Sequence, residues 1–82
     1  MSKQFSVELD ELSAMAYVTF SDGPVAKTIA INDDLNIDLD EHGNVLGIEY
    51  LNLHAELPED RLITEFKMDA ELVHKLNRGM AA

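Results

Sequence analysis

The residues of this chain most able to do chemistry are carboxylates. Asp33, Asp34, Asp38, Asp40 and Glu41 crowd into nine residues, and no Lys or Arg falls between Lys27 and Arg61. Such groups can hold a divalent cation or exchange a proton when they converge in a cleft. The closest match to a known ligand spacing is Asp38-x-Asp40-x-His42-Gly43-x5-Glu49. It sets acids at the first, third and twelfth positions of a calcium loop, glycine at the sixth and apolar Val45 at the eighth. His42 breaks the fifth. Leu35, Ile37 and Leu39 before the loop, and Leu46, Ile48 and Tyr50 after it, carry the two-residue period of strands where a calcium loop needs helices. Along an extended strand Glu49 lies roughly 20 Å from Gly43, beyond the reach of a shared ion. The segment reads as an acidic hairpin, with Asp38 and Asp40 facing water opposite Leu35, Ile37 and Leu39. No metal and no cofactor is expected.

The other candidates for chemistry are isolated. His42, His54 and His74 show no H-x-H or H-E-x-x-H spacing, and Ser6, Ser13 and Ser21 lack the Gly-x-Ser-x-Gly elbow that exposes a nucleophile. There is no glycine-rich phosphate loop. The absence of cysteine removes thiolate nucleophiles, zinc–sulfur sites and disulfides together. No catalytic residue is expected, and the chain is read as non-enzymatic. The alternative from another class, a small hydrolase or metal-dependent enzyme, would need His42 or His54 to meet two carboxylates in a pocket.

The elements that position these groups come from a chain of 82 residues with a net charge of −10. Residues 1–60 carry Lys3 and Lys27 against 13 acids, or −11, and residues 61–82 carry four basic residues against three acids, or +1. An acidic body repels phosphate, which argues against nucleic acid, and gains nothing from anionic lipid, so no membrane partner is expected. The start, MSKQFSVELD, contains no apolar run of signal-peptide length, and a cytoplasmic location is expected. One domain over residues 1–82 is predicted, and a core this small favours self-association. A homodimer is therefore expected, with Leu51, Leu53, Leu62, Phe66, Leu72 and Leu76 as its apolar contact.

From Phe5 to Leu51 apolar residues alternate with polar ones between turn clusters, which predicts about five short antiparallel strands in a meander. Phe5, Val7 and Leu9 mark the first strand. In the second, Ala16, Val18 and Phe20 oppose Met15, Tyr17 and Thr19. Ser21-Asp22-Gly23-Pro24 predicts a hairpin into a third strand bearing Val25, Ile29 and Ile31. Asn32-Asp33-Asp34 leads to the fourth, and Glu41-His42-Gly43-Asn44 reverses into the fifth, with Gly43 suited to a left-handed position. In that fifth strand Leu46, Ile48 and Tyr50 oppose Val45, Glu49 and Leu51, so it belongs at the centre of the sheet. Gly47 predicts a bulge or a close backbone approach. Within the extension 52–82, Pro58-Glu59-Asp60 favours a helical first turn, although residues 58–67 also alternate as a strand. Asp69 caps a helix over about 69–78, with Met68 stapled to Val73 and Gly79 after its end. The fold class is α+β, with the C-terminal helix packed on the sheet.

Two stretches carry a resemblance. They are Tyr17-Val18-Thr19-Phe20-Ser21-Asp22-Gly23-Pro24-Val25-Ala26-Lys27-Thr28 and Ile37-Asp38-Leu39-Asp40-Glu41-His42-Gly43-Asn44-Val45-Leu46-Gly47-Ile48-Glu49. Over about residues 5–51 the chain resembles a small prokaryotic family, domain of unknown function 2283. The resemblance implies a small β-rich fold and brings no activity, cofactor or catalytic residue. Some members are encoded beside small basic proteins of toxin type, which implies an antitoxin-like role. The chain departs from the pattern at His42, where an acid is usual, and in its longer extension. The expected function is a protein-interaction module that masks a basic partner through Asp33, Asp34, Asp38, Asp40 and Glu41. A purely structural self-assembling unit is the remaining alternative.

Overall fold

The structure, a computed structural model, describes residues 4–81; residues 1–3 and 82, the ends of the single domain expected over 1–82, lie outside the described residues. The fold is α+β. Strands β1 (Ser6–Asp10), β2 (Met15–Thr19), β3 (Lys27–Asn32), β4 (Leu35–Leu39) and β5 (Val45–Tyr50) precede helices α1 (Glu59–Thr64) and α2 (Ala70–Ala81). All four strand pairings are antiparallel, and the order across the sheet is β1-β2-β5-β4-β3. Strands β3, β4 and β5 follow one another as a meander, and the β1–β2 hairpin joins it along β5. Strand β5 thus takes the central place that its two-sided apolar pattern requires.

The hairpin expected at Ser21–Pro24 does not form. The Phe20 and Ser21 N–H groups both donate to the Leu46 carbonyl, at 2.8 and 3.2 Å, and Ala26 N–H donates to the Leu39 carbonyl at 2.9 Å. The segment therefore crosses the ends of β5 and β4 and starts β3 at the far edge. A turn signal marks where a strand ends but says nothing of which neighbour comes next.

Alternation sorts the sheet into two faces. Ala16, Val18, Leu35, Ile37, Leu39, Ile48 and Tyr50 point to one side and form a core with Leu57, Leu62, Val73 and Leu76 from the extension. A bulge between Asp38 and Leu39 pairs Leu39 with Val45 rather than Leu46. Val45 therefore packs against the core, and Leu46 is buried outside it, beneath the crossing segment. The faces read from simple alternation are exchanged at these two positions, because one extra residue reverses the pleat.

The extension supplies the second layer. Asp69 caps α2 as expected: its carboxylate accepts the Leu72 N–H at 3.0 Å and its carbonyl the Val73 N–H at 3.0 Å. The helix runs on through Gly79 to Ala81. Residues 59–64 are helical, and Met68 N–H donates to the Leu62 carbonyl as the chain turns at Lys67, whose φ is 55°. Glu59 joins the two helices by accepting from Asn77 Nδ2 and pairing with His74 Nδ1. Asn77 in turn accepts the Leu57 N–H at 3.4 Å. No helix among the described residues is long and apolar enough to cross a membrane.

The Tyr50 hydroxyl is fully buried among these apolar groups and has no hydrogen-bond partner among the described residues. An orphaned hydroxyl loses its water without compensation. Tyr50→Phe is therefore expected to raise stability by about 1 kcal/mol in urea unfolding. A loss of stability would mean that the hydroxyl has a partner in solution.

Candidate functional site

The sheet face away from the helices is polar, and its register makes it one surface. One row runs Glu8, Tyr17, Glu49, Asn36, Ala30, and the next runs Ser6, Thr19, Gly47, Asp38, Thr28. Tyr17 is the long side chain among them, and it reaches across β5 to β4. Its hydroxyl donates to Asp38 Oδ2 at 2.7 Å, while Thr28 Oγ1 donates to Asp38 Oδ1 at 2.6 Å. Beside them Asn36 Nδ2 donates to Glu49 Oε1 at 3.0 Å.

Gly47 makes this crossing possible. A Cβ placed on it would lie 2.6 Å from Tyr17 Cζ, closer than real side chains approach. The glycine marked in the sequence as a bulge or a close approach is next to the one and provides the other. Burial, then the hydrogen bond to Asp38 and the charges of Asp38 and Glu49, push the Tyr17 phenol up to about 12. The face thus presents a neutral ring fixed among Glu8, Asp38 and Glu49. A depression of about 260 Å³ opens beside the ring, lined by Glu8, Asp10, Met15, Tyr17 and Glu49 among others.

The five acids expected to form one partner-facing cluster occupy three places. Asp33 is exposed in the β3–β4 turn, where Asp34 N–H donates to Asn32 Oδ1 at 2.8 Å. Asp38 stands on the open face, bound to Tyr17 and Thr28 rather than free in water. Asp40 and Glu41 lie beyond the other end of β4, with Asp40 roughly 20 Å from Asp34 at the rise of an extended strand. Asp40 serves its own turn: it accepts the Asn44 and His42 N–H groups, each at 2.9 Å, and Asn44 Nδ2 at 3.2 Å. The Asn44 backbone hydrogen bond is the main reason that its carboxyl sits below the usual range. Gly43, at φ 83°, takes the left-handed position of that turn. Five consecutive strand residues separate side chains that the sequence sets close together.

The same hairpin divides the calcium-like spacing, since Asp38 accepts from Tyr17 and Thr28 across the sheet while Asp40 accepts from His42 and Asn44 in the turn. His42 lies in the β4–β5 turn, 3.4 Å from Glu41, while His54 lies in the loop after β5 and His74 on α2. No three His, Cys, Asp or Glu side chains among the described residues are placed to hold a metal.

Of the six residues expected at a dimer contact, Leu62 and Leu76 are buried in the chain's own core and have no surface left to give. Leu53, Phe66 and Leu72 are half-buried, and Leu51 remains exposed. The amphipathic stripe of α2 and the apolar residues of α1 are used against the sheet, which needs them first. Of this face only Asp38 was expected at a site; Tyr17, Thr28, Asn36, Glu8 and Glu49 are the residues that sequence reasoning missed. Glu8 and Glu49 each alternate with apolar neighbours, but their common row with Tyr17 exists only through the order β1-β2-β5.

A five-stranded antiparallel sheet with helices on one face and an acidic, preorganised polar face on the other defines a small acidic α+β domain. The chain belongs to the family described as protein of unknown function (DUF2283), whose model matches residues 7–53. That span begins in β1 and ends just after β5, so it covers the sheet and excludes both helices. No curated protein matches the chain. No solved structure matches it.

Gly47→Ala is expected to cost about 1–3 kcal/mol, because it drives Tyr17 from its place. In a Tyr17→Ser background most of that cost should vanish, giving a coupling of about 1 kcal/mol or more in a double-mutant cycle of urea unfolding. Additive effects would show that the ring does not rest on Gly47.

The titrating groups set both limbs of the pH profile. Asp40 lies below the usual carboxylate range, and so does Glu59, chiefly through Asn77 and then His74. Folded carboxyls held low contribute stability above their unfolded values and lose it as pH falls through the folded ones. Tyr17, pushed up to about 12, and Tyr50, pushed up by burial, lose their contributions as pH rises from the ordinary phenol range through the folded values. Unfolding free energy should thus fall on both sides of neutrality, with Glu59→Gln reducing the slope of the acid limb, and Tyr17→Phe and Tyr50→Phe each removing part of the alkaline one.

Proposed function

We propose that the protein is a cytoplasmic, non-enzymatic interaction module that binds a basic segment of a partner protein on the open face of its sheet. One observation carries the reading: this face collects Glu8, Asp38 and Glu49 around the Tyr17 ring, and no Lys, Arg or His among the described residues shares its rows. The helices, with Arg61, Lys75 and Arg78, and the turn between them that carries Lys67 belong to the other layer. A Lys or Arg side chain fits the depression beside Tyr17, its stem against Met15, its charge near Glu8 and Glu49, and its cation within reach of the ring face. The hydrogen bonds within the face fix the acceptors beforehand, which lowers the ordering cost of binding. Asp33, Asp34, Asp40 and Glu41, at the two ends of β4, extend the negative field and steer encounter rather than form the contact. Family membership adds no activity to this reading, and masking of a small basic protein, antitoxin-like, is its biological form.

The test uses a synthetic Lys/Arg-rich peptide and the Glu8→Gln/Glu49→Gln double variant, which keeps the shape of the face and the Asn36 contact. The variant should bind about tenfold more weakly at low salt, and the difference should shrink as the Debye length falls below about 8 Å. Equal binding by both proteins at every salt concentration, with folding unchanged by circular dichroism, would assign the acids to solubility alone.

A further inference from the structure

The core stops one strand short of the sheet. Val7 pairs with Val18 and Leu9 with Ala16, so all four residues point to the helix side. Val18 and Ala16 are 0% and 4% exposed, whereas Val7 and Leu9 are 39% and 60% exposed. Among the described residues, Val7 and Leu9 on this face of β1 are left exposed. Phe5, continuing the same face, already packs against Phe20 with ring centroids 6.1 Å apart.

The two edges of the sheet also differ. Strand β3 is irregular, with a bulge between Ala30 and Asn32, and its Ile31 carbonyl accepts Arg61 Nη1 at 3.1 Å. A bulge and a cation are common ways to keep an edge from pairing. Strand β1 has five consecutive pairs with β2, no bulge and no basic residue. What it carries instead is a pair of acids, Glu8 and Asp10, on the open face.

We propose that β1 pairs with β1 of a second copy, antiparallel about Val7, joining the two sheets into one. Charge selects the occupant's register. Residues opposite one another across an antiparallel pair share a face, so the two-fold axis passes through a residue position. Centred on Val7, the pairing sets Val7 against Val7 of the second copy, Leu9 against Phe5, Glu8 against Ser6 and Asp10 against Gln4. Centred on Glu8, it would oppose the two Glu8 carboxylates, which is unfavourable on a chain of net charge −10. The Val7 register buries an apolar stripe between the two helix layers and places no acid opposite an acid. Both open faces then lie on one side of the joined sheet. The acidic surface becomes continuous across the seam, which widens the ground for a basic partner without being needed for it.

Sedimentation equilibrium should find a dimer at micromolar concentration, tightening as salt screens the net charge. Leu9→Glu should weaken association about 100-fold, the loss of two buried leucines, with the circular dichroism spectrum unchanged. A second pair of variants locates the axis without depending on that result. The chain has no cysteine of its own, so under mild oxidation Val7→Cys should crosslink to itself. Leu9→Cys should not, because four residues of strand, roughly 13 Å, separate the two copies of position 9, against a disulfide limit of about 7 Å between Cα atoms. A monomer at all concentrations and salts, or Leu9→Cys crosslinking as fast as Val7→Cys, would overturn the proposal. Peptide binding is scored separately on Val7→Glu, which sets two carboxylates against each other at the axis and lies outside the depression beside Tyr17, so loss of the dimer and loss of the binding face give different results.

Discussion

Strand β5 must satisfy two opposite demands at once. Toward the helices it has to offer Ile48 and Tyr50, since two short helices and five short strands bury their apolar faces only against each other. Toward the open side it has to offer nothing at Gly47, so that Tyr17 can pass over the backbone and reach Asp38. The neighbouring bulge reconciles the two by turning Val45 inward and leaving Leu46 to anchor the crossing segment. Core, open face and the β2–β3 connection all meet on these few residues.

The polar face is more ordered than its composition implies. A strand lined with Thr, Asp, Asn and Glu is ordinarily a solvated surface in which each side chain moves by itself. Here three side-chain hydrogen bonds cross strands, two in Tyr17–Asp38–Thr28 and one in Asn36–Glu49, so four of the five strands are tied laterally by side chains as well as by backbone. Hydrogen bonds to an ionised carboxylate are among the stronger ones, and they cost least where the acceptor is already held in place. Fixed acceptors around an aromatic ring suit recognition of a cation, whereas acid–base chemistry needs titrating groups that converge on one point, and these carboxylates are spread along two rows.

The helices contribute stability more than surface. Their apolar residues are consumed by the core, and the Glu59, His74 and Asn77 contacts fasten α1 to α2. Within the strands, the large apolar side chains that remain exposed, Val7 and Leu9, both lie on β1. A small domain with a short second layer leaves part of its sheet uncovered, and the uncovered part is where a neighbour can add burial.

Much of this was legible in order along the chain. Period-two alternation located five strands and the correct faces of β2 and β4, Gly43 and Asp69 announced a turn and a cap, and Gly47 flagged a close approach, because each is a property of a residue and its nearest neighbours. The family, too, could be recognised from contiguous motifs. What stayed hidden depended on which segments lie side by side. The crossing from β2 to β3, the exchange of Val45 and Leu46, and the row of Glu8, Tyr17 and Glu49 all follow from strand order and register. Pairing energy in a sheet is shared among residues far apart in sequence, and no local pattern records it. The acidic run 33–41 is the converse case. Adjacent in sequence, its members were dispersed by one extended strand, while the burial of Leu62 and Leu76 was settled by the sheet's need for a second layer, a decision only the assembled chain can make.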